Sequence, residues 1–459
     1  MRRIDFTIGA PWKKIIAFAL PLLLSSILQQ LYNTVAGIIV GRGVSDAGLA
    51  AVGLAGPYLN VLTSFFMGVA MGGNVLMAQY FGAKDEIGCR RTTHTAIVLA
   101  LIAGLALTGI GIAITPMILK WTNAPEDVYP MALTYMRILF TGVVFQMMYN
   151  MLASFLRGTG DSRTQLYILA VTSVLNAGLC WIFVMYFEWG IAGAAMATVI
   201  SQAVSVLIIF FCLQRSPWTR ISLSELKVHG EYAKELLRIG LPTALQQVAM
   251  SMAGMVVMGF VSDYGTKSIA GYSTGNMMDM YVTMPISSLN MSVTPFAAQN
   301  VGAGRMDRVH QAAKQVAFIN LCLTAVLGTI VIVFSESLIG MFSSDPVTIA
   351  AGVTMLRIII PSNMLNSITQ PLSGVIRGSG DPITPMFNTI MMVVIVRIPI
   401  IIIFNRIFNR IEVIYFSQVA AQIYGLTHIL IVYFKGKWKK KALATIEARQ
   451  SNAVAGEKA

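Results

Sequence analysis

The sequence predicts an all-α membrane protein whose twelve transmembrane helices form two parallel six-helix repeats, and three observations predict it. Apolar residues make up 56% of the chain and charged ones only 12%, about half of the roughly 25% found in soluble domains. Mean hydropathy is +0.70, and the apolar residues gather into long runs. The chain also repeats itself: Leu156-Arg157-Gly158-Thr159-Gly160-Asp161 returns as Ile376-Arg377-Gly378-Ser379-Gly380-Asp381, 220 residues on. Ala78-Gln79 with Gly82-Ala83 returns as Ala298-Gln299 with Gly302-Ala303, and Arg137 as Arg357, at the same offset. Chance matches scatter in offset, so one offset shared by three separated segments indicates duplication.

A membrane span takes about 20 mainly apolar residues. Such runs fall near 15–39, 52–78, 94–118, 132–156, 164–187 and 191–213, then 236–261, 269–296, 312–334, 349–375, 386–405 and 413–434. They are continuous rather than alternating, which indicates helices and not barrel strands. The expected division is an N-terminal half at 1–213, a cytoplasmic linker loop at 214–235, a C-terminal half at 236–434 and a basic cytoplasmic tail at 435–459. Six is an even number, so the second half enters the membrane facing as the first does. The halves are then related by an axis along the membrane normal, an arrangement typical of transporters with a substrate site between repeats.

Orientation follows from the basic residues. The N-terminus, every second loop and the tail hold 25 of the 33 Lys and Arg, among them Arg2, Arg3, Lys84, Arg90, Arg91, Arg215, Arg220 and Lys437 to Lys441. The opposite loops hold five, of which Arg406 and Arg410 share the last one. The positive-inside rule places both termini and the 214–235 loop in the cytoplasm of a bacterial cell membrane. The net charge of +13 is thereby explained as loops and tail facing anionic headgroups rather than nucleic acid. Its stretch from Leu223 to Arg238 reads as amphipathic and surface-lying, and 442–459 as a solvated, disordered tail. The four cysteines form no disulfide or zinc framework, and the first apolar run lacks a signal-peptide cleavage site.

Absences narrow the function. There is no phosphate-cradling Gly-rich loop, no Gly-x-Ser-x-Gly elbow and no metal-ligand spacing among the four His. An enzyme and an ATP-driven pump are both excluded on this reading. No cofactor is expected beyond a coupling Na⁺ or H⁺, and no dimer face is marked, so a monomer is expected. The two Arg-Gly-x-Gly-Asp turns fit tight helix-to-helix connections, with glycine for positive φ and aspartate as a cap. Arg157, Asp161, Arg377 and Asp381 are therefore either a structural hinge or a gate latch.

Ionisable residues inside spans are functional pointers, since each costs about 2.5–3.5 kcal/mol on insertion scales. Asp279 is the one acid well inside a span and is the candidate for ion or proton coupling, with pairing to Arg397 as its structural alternative. Candidates for lining a moderately polar substrate cavity are Gln30, Gln146, Gln246, Met250, Met278, Asn366 and Arg397. Flexible thioethers suit ligands of varied shape, though methionine in a span is more often packing.

Together the segments resemble the multidrug and toxic compound extrusion (MATE) family, most closely its bacterial DinF-like branch. They are Leu28-Gln29-Gln30-Leu31-Tyr32-Asn33 with Val40-Gly41-Arg42, Leu49-Ala50-Ala51-Val52-Gly53, Gly190-Ile191-Ala192-Gly193-Ala194-Ala195, and the repeated motifs above. The resemblance covers about residues 10–435. It implies the fold of the exporter and flippase superfamily, and Na⁺- or H⁺-driven antiport of organic cations and amphipathic drugs by alternating access. Relatives commonly carry acids where this chain has Ala36 and, in the fifth span, Cys180. The resemblance therefore implies that Asn33 and Asn176 are remnants of an N-terminal ion site and that coupling runs through Asp279. The alternatives are a flippase for lipid-linked or amphipathic lipids and an uncoupled facilitator.

Overall fold

The computed structural model describes residues 3–44, 46–122 and 124–456, with the side chains of 46, 223 and 448–456 aside. Arg2 and Lys458, which entered the charge count above, lie outside the described residues. The first copy runs α1 (Pro11–Gly43), α2 (Asp46–Gly82), α3 (Glu86–Trp121), α4 (Tyr129–Thr141), α5 (Val143–Gly158), α6 (Arg163–Trp181) and α7 (Gly190–Gln214). The second runs α8 (Gly230–Ser262), α9 (Thr266–Gly302), α10 (Met306–Val333), a short α11 (Ser335–Gly340), α12 (Pro346–Gly378), α13 (Ile383–Ile390), α14 (Ile398–Phe408) and α15 (Glu412–Lys435). A last helix, α16 (Lys437–Gly456), follows. The boundaries carry the duplication: α2 and α9 start and end 220 residues apart, and the starts of α3 and α10 share that offset.

The twelve apolar runs become twelve helical passages, counting α4 with α5 and α13 with α14. Three depart from a plain α-helix, the fifth by ending in a π-helical stretch at Ile182–Tyr186. The fourth run bends by 43° between α4 and α5, at Gly142, where a Cβ would lie 2.7 Å from Val199 Cγ2. The eleventh passes through a π-helical stretch, Met391–Arg397, just before Pro399 enters α14. Proline has no N–H to give the turn behind it, and a wider turn accommodates the lost bond. Among the described residues, ten passages are long and apolar enough to cross a membrane, counting the bent pair as one. α9 and α15 fall short because they carry polar groups such as Asp279, Asn290, Gln422 and His428, which a membrane helix must turn toward protein.

The chain forms two compact units, one of Leu20–Leu241 with residues through Ile4, the other of Asp5–Ala19 with the chain from Pro242 on. In the first, α5 packs on α2, α3 and α7; in the second, α12 packs on α9, α10 and α15. Duplicate helices thus occupy duplicate places.

Two expectations need correction. The stretch from Leu223 to Arg238, read as amphipathic and surface-lying, is not one continuous element: a 3₁₀ turn at Leu223–Glu225 precedes α8, which begins at Gly230, and another 3₁₀ turn lies upstream at Pro217–Thr219. The 214–235 segment is bound to α3, where Ser222 N donates to His94 Nε2 (3.0 Å) and His229 N to Thr95 Oγ1 (3.2 Å). Nor is the stretch after Lys441 unstructured, since α16 runs to Gly456. Trp438, Ala442 and Ile446, four residues apart, form a buried stripe. The Trp438 Nε1–H donates to the Tyr433 carbonyl at 3.1 Å, and its ring stacks on Tyr433.

Candidate functional site

The site grows from three helices of the second unit, α9, α10 and α12. Asp279 sits mid-α9, and one carboxylate oxygen, Oδ1, accepts from Asn363 Nδ2 of α12 at 2.6 Å. One turn further along α12, Ser367 Oγ donates back to the Asn363 carbonyl at 2.9 Å and meets Thr324 Oγ1 of α10 at 2.5 Å. Thr324 donates to the Asn320 carbonyl (2.8 Å), and Asn320 Nδ2 donates to Asn290 Oδ1 of α9 (2.9 Å). Asn320, Thr324 and Ser367 are fully buried.

Counting protons shows what this chain offers. Two hydroxyl protons, from Ser367 and Thr324, are shared among three contacts, because a hydroxyl has one donor and two lone pairs. Asn320 Oδ1 is buried without a partner, and the second oxygen of Asp279 takes no hydrogen bond from the described residues. The chain is therefore rich in acceptors and poor in donors. That imbalance suits a proton, a water or a dehydrated monovalent cation, since buried acceptors left unmet are costly.

The first copy has nothing equivalent. At the same offset, Asp279, Asn290, Asn320, Thr324, Asn363 and Ser367 correspond to Leu59, Ala70, Ala100, Gly104, Val143 and Met147. The N-terminal coupling candidates are also separated by environment: Asn33 is exposed, whereas Asn176 is 2% exposed with its Nδ2 unpartnered. Cys180 lies in an apolar cluster with Val40, Val184, Ala194 and Ala197.

Both Arg-Gly-x-Gly-Asp turns resolve into parts with distinct roles. Gly158 and Gly378 let helices touch: a Cβ there would lie 2.9 Å from the Asn74 carbonyl oxygen and 2.6 Å from that of Thr294. Gly160 and Gly380 hold φ at 83° and 90°, where side chains are strained. Asp161 caps α6 by accepting from Thr164 N at 3.0 Å, and Asp381 accepts from Thr384 Oγ1 at 2.9 Å. Asp381 also forms an ion pair at 2.9 Å with Lys441 of α16.

The arginines do not reach out to headgroups. Arg157 is 7% exposed and donates to Gln165 Oε1 at 3.1 Å. At the position matching Gln165 the second copy has Pro385, so Arg377 turns to Gln246 Oε1 (2.8 Å), whose amide in turn donates to Thr389 Oγ1 (2.8 Å). Gln246, read from sequence as cavity lining, is thereby joined to the turn.

The remaining candidates scatter. Gln30 and Met250 are exposed, Asn366 is half-buried, and Gln146 donates to Thr63 Oγ1 at 3.0 Å. Met278 packs in the core with Val282, Ile286, Val353 and Leu356. Arg397 lies beside Tyr272 with its Nε buried and unpartnered, and no ion pair joins it to Asp279 among the described residues. Asn366 reads from sequence as cavity lining; the residue on Asp279 is Asn363, three positions earlier on the same helix.

Comparison with known proteins agrees with this architecture. The family model MatE matches twice, at residues 21–182 and 242–403, an independent reading of the duplication. "Probable multidrug resistance protein YoeA" of Bacillus subtilis strain 168 is 30% identical over 444 residues, covering 95% of this chain and 96% of its own length. "Probable multidrug resistance protein YpnP" of the same strain is 26% identical over 452 residues, covering 97% of this chain and 100% of its own. A solved structure of MATE in complex with MaL6 shares the fold with a TM-score of 0.88 at 22% identity, covering 97% of this chain and all of that one. The chain belongs to the MatE family, a family of multi-pass membrane transporters rather than enzymes.

Proposed function

We propose that this protein is a secondary active multidrug efflux transporter, exporting organic cations and amphipathic drugs by Na⁺ or H⁺ antiport, with Asp279 as the coupling carboxylate. The observation that carries the reading is the acceptor-rich chain running from Asp279 through Asn363, Ser367 and Thr324 to Asn320 and Asn290. A cation or proton arriving at Asp279 removes an intramembrane charge, and the spare acceptors stabilise it on arrival. Drug binding then competes with that neutralisation, which is the linkage an antiporter needs. The names of the Bacillus subtilis relatives support drug-like cargo. The basic loops support a bacterial cytoplasmic membrane with both termini inside, and we place the protein there as a monomer.

The test is ethidium efflux from proteoliposomes with ΔpH and ΔNa⁺ imposed separately, wild type beside Asp279→Asn. The proposal expects one gradient to drive efflux in the wild type and neither to drive it in the variant. Coupled efflux surviving in Asp279→Asn would remove Asp279 from the mechanism. Folded wild type that moves no drug under either gradient would turn the reading to a lipid flippase.

A further inference from the structure

We propose that the first repeat carries a built site for the phosphate of an anionic lipid headgroup, where residues 214–229 fold over the start of α3. Two adjoining cavities of about 330 and 270 Å³ share Arg90. The first is lined by Arg90, Arg91, His94, Glu225, Lys227 and His229. Arg215, Arg220 and Glu86 line the second.

The walls are fixed. Besides the bonds from Ser222 and His229 to α3, Gln214 Nε2 donates to the Ile221 carbonyl at 2.6 Å and Trp218 packs edge-on against Phe81 at 5.1 Å. Arg90 engages both oxygens of Glu225, at 2.8 and 2.9 Å. Among the described residues, Arg91, Arg215, Arg220 and Lys227 have no acidic partner, and Glu86 is the one lining carboxylate left to oppose them. Four exposed cations around two adjoining cavities, opposed by Glu86 alone, call for an anion with several acceptor oxygens.

Position selects the source. The apolar run of α3 starts at Ala96, two residues past His94, so the cavities lie at headgroup depth, where basic pockets beside membrane helices meet lipid phosphates. Diffuse attraction to basic loops would treat both repeats alike, and this feature does not. In the second repeat the positions of Arg90 and Arg91 are His310 and Gln311. His310 is covered there by Tyr433, bonded at 2.7 Å, and by the Trp438 ring at 5.3 Å.

The experiment is native mass spectrometry of the full chain in detergent, titrated with phosphatidylglycerol, with phosphatidylcholine and with inorganic pyrophosphate. Wild type is compared with Arg91→Gln/Arg220→Gln/Lys227→Gln and with a charge-matched control, Lys437→Gln/Lys439→Gln/Lys440→Gln. The site predicts that phosphatidylglycerol retention falls by roughly tenfold or more in the first variant, stays within about twofold in the control, and exceeds pyrophosphate binding. Lys227→Gln alone, removing one of the exposed cations, gives a smaller loss in the same direction. Equal losses in both triple variants, an unchanged first variant, or pyrophosphate bound as tightly as lipid would each overturn the assignment.

Discussion

In the second copy, α9, α10 and α12 are joined through Asp279, Asn290, Asn320, Thr324, Asn363 and Ser367; in the first, the matching positions of α2, α3 and α5 are Leu59, Ala70, Ala100, Gly104, Val143 and Met147. The backbone plan is the same and the chemistry between the helices is opposite. At these six positions the first bundle offers only apolar side chains and glycine, and its α2–α5 polar contact is made elsewhere, by Gln146 to Thr63. The second accepts a buried polar chain whose cost is recovered only where each group finds a partner. Duplication supplied a scaffold twice, and one copy specialised. The turns show the same divergence on a smaller scale: Gln165 serves Arg157 within its own turn, while Pro385 forces Arg377 across to Gln246.

Removing the groups that distinguish the second copy is the way to break this comparison. The largest effect is expected for Asp279→Asn, with gradient-driven ethidium efflux falling to the protein-free baseline while the protein still elutes as a folded species. Trp438→Ala, at the position matching Trp218 of the first copy, should cost about 3–5 kcal/mol of local packing. It should release α16, read as rapid hydrogen exchange over 437–446 with the remaining helices still protected. Asn363→Val takes the donor from a buried carboxylate, a loss of about 1–3 kcal/mol. Its thermal midpoint should fall and its efflux should drop, whereas Val143→Asn in the first copy should not raise coupling.

Two smaller effects sharpen the picture. Gly378→Ala and Gly158→Ala both press a methyl onto a neighbouring backbone carbonyl, closer in the second copy (2.6 Å) than in the first (2.9 Å). Each should destabilise by about 1–3 kcal/mol, with Gly378→Ala giving the lower thermal midpoint. The smallest effect is at Asp345, which caps α12 and pairs with Lys267 at 3.0 Å. Its carboxyl is held below the usual range, first by the Lys267 bond and then by Thr348. A depressed carboxylate contributes stability above its unfolded pKa and loses it as pH falls through the folded one. A slight acid-side loss in thermal midpoint should therefore shrink in Lys267→Ala, with the part due to Thr348 remaining.

Much of the fold was legible because duplication and apolar run length are properties of one sequence read along itself. The offset of 220 recovered from short motifs reappears in helix boundaries. What escaped needed the third dimension. Asn363 and Asn366 lie one turn apart on α12, and only the rotation of α12 against α9 decides which meets Asp279. The Gln246–Arg377 bond joins residues 131 apart and depends on a proline elsewhere. The bend at Gly142 arises from packing against α7, invisible in an apolar run. The helix α16 did leave a signal, the stripe Trp438, Ala442, Ile446, but its many lysines masked it.

The central claim is that ion coupling resides in the second copy alone, and linkage in binding tests it most directly. Ethidium affinity would be measured on purified protein across pH and Na⁺ concentration, for wild type, Asp279→Asn and Asn33→Ala/Asn176→Ala. The account predicts that rising H⁺ or Na⁺ weakens ethidium binding to wild type and to the double variant, and leaves Asp279→Asn flat. A flat response in the double variant, or a wild-type response in Asp279→Asn, would contradict it.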